Sequence, residues 1–295
     1  IVVADDHNIF RSLQSEIDSA REFVQGSKGH ATFCTTFNPF LFEKPGFASQ
    51  AIEQLNRDFA RGAVAVKIWK NIGMELKNAD GRYLMPDDPI FQPIYRDIAA
   101  HGKTLIAHLA EPSSCWQAPN PDSPDYDYYK ENPEWYMYLH PDHPSKDKIL
   151  AARDHLLAEN PKLRVVGAHL GSMETDVDEI ARDFDRFPNF AVDTAARMEY
   201  LMIAPREKVR QFLIKYQDRV LYGTDSGFLV EESPTDAVKE WQRTYSRDWK
   251  FFSTDEPMKY HRRHITGLKL PDSVLKKIYH DNAVRWIPGI LAGTN

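Results

Sequence analysis

The chain has 295 residues, 42% of them hydrophobic and 27% charged, with a formal net charge of −6. That length suits one large α/β domain or two ordinary ones, and an acidic balance without any Lys/Arg run argues against a nucleic-acid binder, which needs clustered cations to neutralise phosphates. No apolar stretch reaches membrane-spanning length, and the two cysteines, Cys34 and Cys115, lie far apart with no CxxC, which argues against a disulfide scaffold or a thiolate metal site.

Strand-like and helix-like runs alternate along the sequence. Ile1-Val2-Val3-Ala4 has the pattern of an interior strand, closed by Asp5-Asp6-His7-Asn8, and no signal-peptide pattern is present. Phe10, Leu13, Ile17 and Phe23 recur at helical spacing. Residues 31–37 are β-rich and stop at Asn38-Pro39. Ala51, Ile52, Leu55 and Phe59 form a helix stripe ended by Gly62, and a strand follows at 63–67. Asp87-Asp88-Pro89 opens a helix with Ile90, Ile94, Tyr95 and Ile98 on one face and Gly102 at its end, before a strand at 104–108. Residues 111–145 break the rhythm with many prolines and aromatics. Aromatic content argues against disorder, so an ordered lid is expected there. A helix at 149–159, a strand at 165–169, a helix at 176–187, a strand at 189–193, a helix at 206–216 and a strand at 220–225 resume the alternation. An irregular aromatic stretch containing Trp241, Tyr245, Trp249, Phe251 and Phe252 follows, and a final helix is expected near 272–279.

Seven strands in unbroken βα alternation, with no Gly/Ser linker, predict a single parallel α/β domain over 1–295. A closed (β/α)8 barrel needs one more strand. The expectation is a TIM-like barrel whose first strand lies upstream of Ile1.

Four strands end in Lys67, His108, His169 and Asp225. Parallel strands place their C-terminal ends on one face, where α/β barrels build active sites. Imidazole and carboxylate suit Zn²⁺ or a similar divalent ion, which lowers the pKa of bound water towards neutrality. An Asp beside that water can take its proton, and a second His can hydrogen-bond a developing oxyanion or protonate a leaving group.

Four motifs carry a resemblance: Ala107-His108-Leu109-Ala110-Glu111-Pro112, Gly167-Ala168-His169-Leu170-Gly171-Ser172, Tyr222-Gly223-Thr224-Asp225-Ser226 and Ile278-Tyr279-His280-Asp281-Asn282-Ala283. Over nearly the whole chain this set resembles the amidohydrolase superfamily, and within it the amidohydrolase-2 branch of metal-dependent hydrolases and nonoxidative decarboxylases. The resemblance implies a distorted (β/α)8 barrel holding one or two divalent ions. It makes His108 a metal ligand, Asp225 a ligand that also handles the proton of the nucleophilic water, and His169 a second ligand or a catalytic, substrate-orienting residue. One departure stands out. The superfamily's first strand carries a His-x-His metal pair, and no such pair is present in that context: His7 and His30 stand alone, and His140 and His143 lie in the 111–145 insert. An upstream segment supplying that pair is therefore expected.

Other residues have two readings each. Lys67 stands where some superfamily members carry a bridging carboxylated lysine, but substrate-carboxylate binding or local pairing competes. Arg197 could grip a substrate carboxylate bidentately or pair with a neighbour. Glu111 could support a nearby histidine. His7 could touch substrate or lie in a solvated loop, and His140 and His143 suit lid packing better than metal binding. Trp116 and Trp135 are candidate substrate contacts if the insert is a lid; a plain packing cover or an oligomer contact is the alternative. The resulting expectation is a zinc enzyme (manganese as the alternative) hydrolysing a small ester, lactone or amide with metal-activated water. A nonoxidative decarboxylase on the same site and an inactive barrel acting as a binding protein are the rivals. The expected partner is a small molecule, with neither nucleic acid nor membrane involved and a homodimer left open; a cytoplasmic setting is favoured.

Overall fold

In a computed structural model, residues 12–227, 233–260 and 263–290 are described. Six parallel strands form one sheet in strict chain order: β1 (Cys34–Thr35), β2 (Ala65–Ile68), β3 (Thr104–Ala107), β4 (Arg164–Gly167), β5 (Phe190–Asp193) and β6 (Val220–Leu221). Each neighbour pair is parallel, with Val66 opposite Leu105, Ile106 opposite Val166 and Val192 opposite Val220. Sequential parallel order with intervening helices is barrel logic, because each right-handed crossover returns the chain one strand further round. Almost every strand residue is buried, as expected of strands covered on both faces.

Six of the seven predicted strands are found, with shorter limits at both ends of the series. The run at 31–37 contracts to Cys34–Thr35 because Asn38 already caps a 3-10 turn at Pro39–Leu41. The predicted strand at residues 1–4 lies outside the described residues, as does His7. Helices Leu13–Gly26, Phe47–Ala60, Gln92–Ala100, Lys146–Glu159, Val177–Arg186 and Arg206–Lys215 match the predicted ones within a few residues. Ser12, Ser145 and Asp176 each supply an N-cap hydrogen bond to the first turn of the helix they precede.

The stretch expected to be irregular after β6 is instead a 20-residue helix, Pro234–Ser253, with Pro234 in its first turn. Its core face is narrow, formed by Ala237, Asp248, Phe251 and Phe252, while Tyr245 and Trp249 stay exposed. Charged residues between the aromatics hide that stripe from a periodicity reading. An antiparallel hairpin, β7 (Pro257–Tyr260) with β8 (Arg263–Thr266), was also not anticipated. The last predicted helix breaks into Asp272–Lys276, a π-turn at Lys277–Asp281 and Asn282–Trp286. No helix among the described residues is long and apolar enough to cross a membrane.

The insert is built from short helical turns, Ser113–Trp116, Tyr126–Glu131, Pro133–Trp135 and Met137–Leu139. It is fastened to the barrel by a buried ion pair between Lys70, just past β2, and Glu111, just past β3. The Lys70 ammonium also donates to Tyr128 Oη at 2.9 Å and sits 3.9 Å from the Trp135 ring centroid. Cys115 Sγ donates to the Trp135 carbonyl at 2.7 Å, and Trp116 Nε1 to the Pro144 carbonyl at 3.1 Å, so the insert is tied to itself as well. Both cysteines are free and buried.

Breaking a buried pair by removing one partner leaves the other charge stranded, at a cost of about 3–5 kcal/mol. Lys70→Met should therefore destabilise the protein by that order in urea unfolding, and Lys70→Met with Glu111→Gln should recover much of the loss. If the double variant is no more stable than the single one, the pair is not what fastens the insert.

Candidate active site

The C-terminal ends of β2 to β6 lead into loops whose backbone is unusually strained. Among the described residues, eight non-glycine residues have positive φ, and six of them follow these strands: Ala110, His169, Leu170, Ser172, Ala196 and Asp225. Such conformations cost roughly 1–2 kcal/mol each for an L-residue and cluster at functional sites.

The turn after β4 is the most constrained. His169, Leu170, Gly171 and Ser172 are all left-handed, with φ of 60°, 58°, 63° and 59°. The His169 amide donates to Asp193 Oδ1 at 2.9 Å, and the Ser172 hydroxyl lies 2.6 Å from the Leu109 carbonyl and 3.0 Å from that of Ala110. Arg153 Nη1 donates to the Gly171 carbonyl at 2.9 Å. Space is as tight as the hydrogen bonding: a Cβ on Gly167 would fall 2.8 Å from both Gly171 Cα and Phe190 Cζ. Glycine is therefore required where β4 enters the turn.

This turn sets the chemistry of His169. Its Nδ1 lies 2.9 Å from the Ala195 carbonyl. A carbonyl only accepts, so Nδ1 carries the proton and Nε2 keeps its lone pair. Burial, reinforced by the charges of Arg197 and Lys67, pushes the His169 pKa down to about 3. His108, from the end of β3, packs edge-on against it with ring centroids 4.2 Å apart. Burial first, then His169 and the cations Lys67, Lys70 and Arg197, hold His108 well below the usual imidazole range. Its Nε2 is buried without a hydrogen-bond partner. The structure thus brings together two neutral imidazoles.

Asp225 lies at the more open edge, in the loop after β6. Although the residue as a whole is exposed, the surrounding protein raises its carboxyl pKa, opposed by Lys67 and Arg197. Its backbone is placed by the motif at residues 278–283: Asn282 donates through Nδ2 to the Gln217 and Val220 carbonyls, each at 2.7 Å, and Tyr222 N donates to the Ile278 carbonyl at 2.9 Å. Asn282 is thus a brace for β6. Its neighbour His280 stays exposed and faces Asp281.

Lys67 is buried at the end of β2, and burial lowers its pKa against the opposing pull of Asp193 and Asp225. Arg197 is buried too, and its pKa is nevertheless raised: the cost of burial is outweighed by Asp125, Glu111 and Glu174. No carboxylate among the described residues is in ion-pair contact with Arg197; its Nη1 donates to the Ala196 carbonyl at 2.8 Å, and its Nε–H is buried without a partner. Glu111 serves Lys70 rather than a histidine. His140 and His143 remain in the insert, their rings tilted against each other with centroids 5.3 Å apart, and His30 is exposed. Trp135 reaches the site through one intervening ring. It packs 5.2 Å from Trp69, which in turn lies 6.4 Å from His108. Trp116 is held at the Pro144 end of the insert. Sequence reasoning missed Trp69 and Asp193; the latter, ending β5 as His169 ends β4, could have been found by the same strand-end rule.

Among the described residues, no three or more His, Cys, Asp or Glu side chains converge closely enough to form a metal cluster by themselves. The donor chemistry nevertheless fits a divalent ion. An unpartnered buried imidazole nitrogen, a second imidazole with a bare Nε2 and a carboxylate are what such an ion takes as ligands.

The amidohydrolase family model matches residues 37–288. No curated protein sequence matches the chain. Several solved structures share its fold. An uncharacterised TIM-barrel protein from Bordetella bronchiseptica is 18% identical with a TM-score of 0.52, over 93% of this chain and 72% of its own. A dihydroxybenzoic acid decarboxylase from Polaromonas sp. JS666, solved with manganese and the inhibitor 2-nitroresorcinol, is 14% identical with a TM-score of 0.55, over 100% and 79%. A 4-oxalomesaconate hydratase from Rhodopseudomonas palustris is 14% identical with a TM-score of 0.52, over 96% and 73%. At these identities the likeness is one of fold, a (β/α)8 TIM-like barrel; membership rests on the family match, which takes in β2 to β6 and all four strand-end residues Lys67, His108, His169 and Asp225. The chain belongs to the amidohydrolase family of enzymes.

Proposed function

We propose that this chain is a divalent-metal-dependent hydrolase acting on a small ester, lactone or amide that carries a carboxylate. The observation that supports it most is the edge-on pair of buried imidazoles, His108 with an Nε2 that has no partner and His169 with its Nδ1 engaged by the Ala195 carbonyl. His108 and Asp225 would hold the ion, with His169 as a further ligand or as a base. Zn²⁺ suits imidazole and Mn²⁺ suits carboxylate, and manganese is the ion bound in the Polaromonas decarboxylase. When bound, the ion supplies Lewis acidity and lowers the pKa of water.

The protein's own groups do the rest. Asp225, with a carboxyl pKa raised by its surroundings, takes the proton of the attacking water. His169 offers Nε2 as acceptor because its Nδ1 proton is engaged by the Ala195 carbonyl. Arg197 presents a buried, unpaired Nε–H to the substrate carboxylate, and a charge-assisted bond there would orient the scissile group. Lys67 offsets the negative charges of Asp193 and Asp225.

Nonoxidative decarboxylation is the second reading. It is favoured by the Trp69 ring beside His108, backed by Trp135, an aromatic surface that suits a planar carboxylated ring.

Asp225→Asn should keep the circular dichroism spectrum and lower turnover at least about a hundredfold, the scale of a lost general base. Near-normal turnover would remove Asp225 from the mechanism. Elemental analysis of purified protein should find about one divalent ion per chain, and chelation should abolish activity that Zn²⁺ or Mn²⁺ restores. Protein that neither retains an ion nor responds to one would favour the binding-protein alternative. A panel of carboxylated esters, lactones and amides run beside a CO₂-release assay with hydroxybenzoates separates the two chemistries: hydrolysis without CO₂ is expected, and CO₂ release alone would replace the first reading with the second.

A further inference from the structure

One side chain of the helix Lys146–Glu159 reaches through to the turn that carries His169. Arg153 is 3% exposed, and its guanidinium is held on several sides. Nε and Nη2 donate to Asp154 Oδ1 at 3.1 and 2.7 Å, and Nη2 also donates to Asp183 Oδ2 from the helix Val177–Arg186. Nη1 donates to the Gly171 carbonyl at 2.9 Å. Arg153 Cζ lies 5.1 Å from the centre of the Phe190 ring, and that ring abuts the turn as well, because a Cβ on Gly171 would fall 3.1 Å from Phe190 Cζ. Two carboxylates and an aromatic ring thus immobilise the guanidinium, and its fork leaves Nη1 for the strand-end turn.

The turn needs an outside hold at that carbonyl. Its own amides close on one another, Ser172 N donating to the His169 carbonyl at 3.0 Å and Met173 N to the Leu170 carbonyl at 3.2 Å. His169, Leu170 and Ser172 are L-residues that gain by leaving the left-handed region. Gly171 adopts positive and negative φ about equally, so its own preference does not stop them. A charge-assisted bond from a buried, immobile cation to the Gly171 carbonyl does. The consequence is felt two residues away. The left-handed backbone of His169 brings Nδ1 to the Ala195 carbonyl, and that contact puts the proton on Nδ1 and leaves Nε2 bare.

We propose that Arg153 is a positioning residue for His169. By holding the Gly171 carbonyl from the helix layer, it keeps the imidazole on Ala195 and fixes which ring nitrogen is bare. Its effect on turnover rests on the hydrolytic reading above; its effect on the ring does not.

Nitrogen-15 NMR of histidine-labelled full chain at neutral pH, run beside steady-state kinetics, tests this. Arg153→Lys keeps a cation for Asp154 and Asp183 but lacks the fork that serves both acids and the carbonyl at once. In this variant His169 should show a second population with the proton on Nε2. Turnover of the wild-type substrate should fall at least tenfold, with KM within about threefold of the wild-type value. Arg153→Gln, which removes the charge, should change the His169 signal in the same way, and either variant that folds decides the matter. Leu156→Ala is the control for plain loss of stability. It deletes a buried side chain from the same helix without touching the turn, and should lower the urea midpoint while leaving the His169 signal and the kinetics as in wild type. A wild-type His169 signal in folded Arg153→Lys or Arg153→Gln, or the same tautomer change in Leu156→Ala, would overturn the proposal. The predicted change of signal in a protein that hydrolyses nothing would uphold it and remove the hydrolytic reading alone.

Discussion

The left-handed turn from His169 to Ser172 is the constraint on which the site depends. Three L-residues in that conformation cost roughly 1–2 kcal/mol each, so the turn persists only because its surroundings fix it. Asp193 and Ala195 after β5 hold His169 by its amide and its ring, Leu109 and Ala110 after β3 accept from Ser172, and Arg153 grips the Gly171 carbonyl. At about 1 kcal/mol net per hydrogen bond, this set is of the size needed to offset the strain. The same contacts bind three neighbouring strand ends into one unit, which is why His108 and His169 meet face to edge.

Desolvation then decides what these side chains can do. The mouth gathers cations, Lys67, Lys70 and Arg197, beside two buried imidazoles. Protonating either histidine would add a further positive charge where solvent cannot screen it. Both rings are therefore neutral at physiological pH and keep their lone pairs. The acids are distributed accordingly: Asp193 anchors backbone, Asp225 stands at the open edge, and Glu111 is committed to Lys70. Lys70, ringed by Trp69, Tyr128 and Trp135, joins the insert to the mouth through a single buried charge.

Much of this was legible from strand ends alone. Lys67, His108, His169 and Asp225 could be placed on one face because parallel strands of four to five apolar residues end in a polar one, and residues that share a periodic signal share a place in the fold. What stayed hidden depends on tertiary contacts. Nothing in Ala168-His169-Leu170-Gly171-Ser172 announces a left-handed turn, since only Gly171 among the four left-handed residues favours it by itself. The helix Pro234–Ser253 was read as irregular because two of its five aromatics, Tyr245 and Trp249, face solvent. Trp69 carried no signal, being one more apolar residue after a buried strand. The role of Asn282 is visible only once β6 is seen to lie against the π-turn that precedes it.

The central claim is that the fold holds His169 neutral, with Nδ1 protonated and Nε2 bare. Nitrogen-15 NMR of histidine-labelled protein at neutral pH measures this directly, with His169→Gln supplying the assignment. The account predicts a protonated Nδ1 and an unprotonated Nε2 whose resonance moves when Zn²⁺ is added. An imidazolium at neutral pH, or the opposite tautomer with the proton on Nε2, would contradict it.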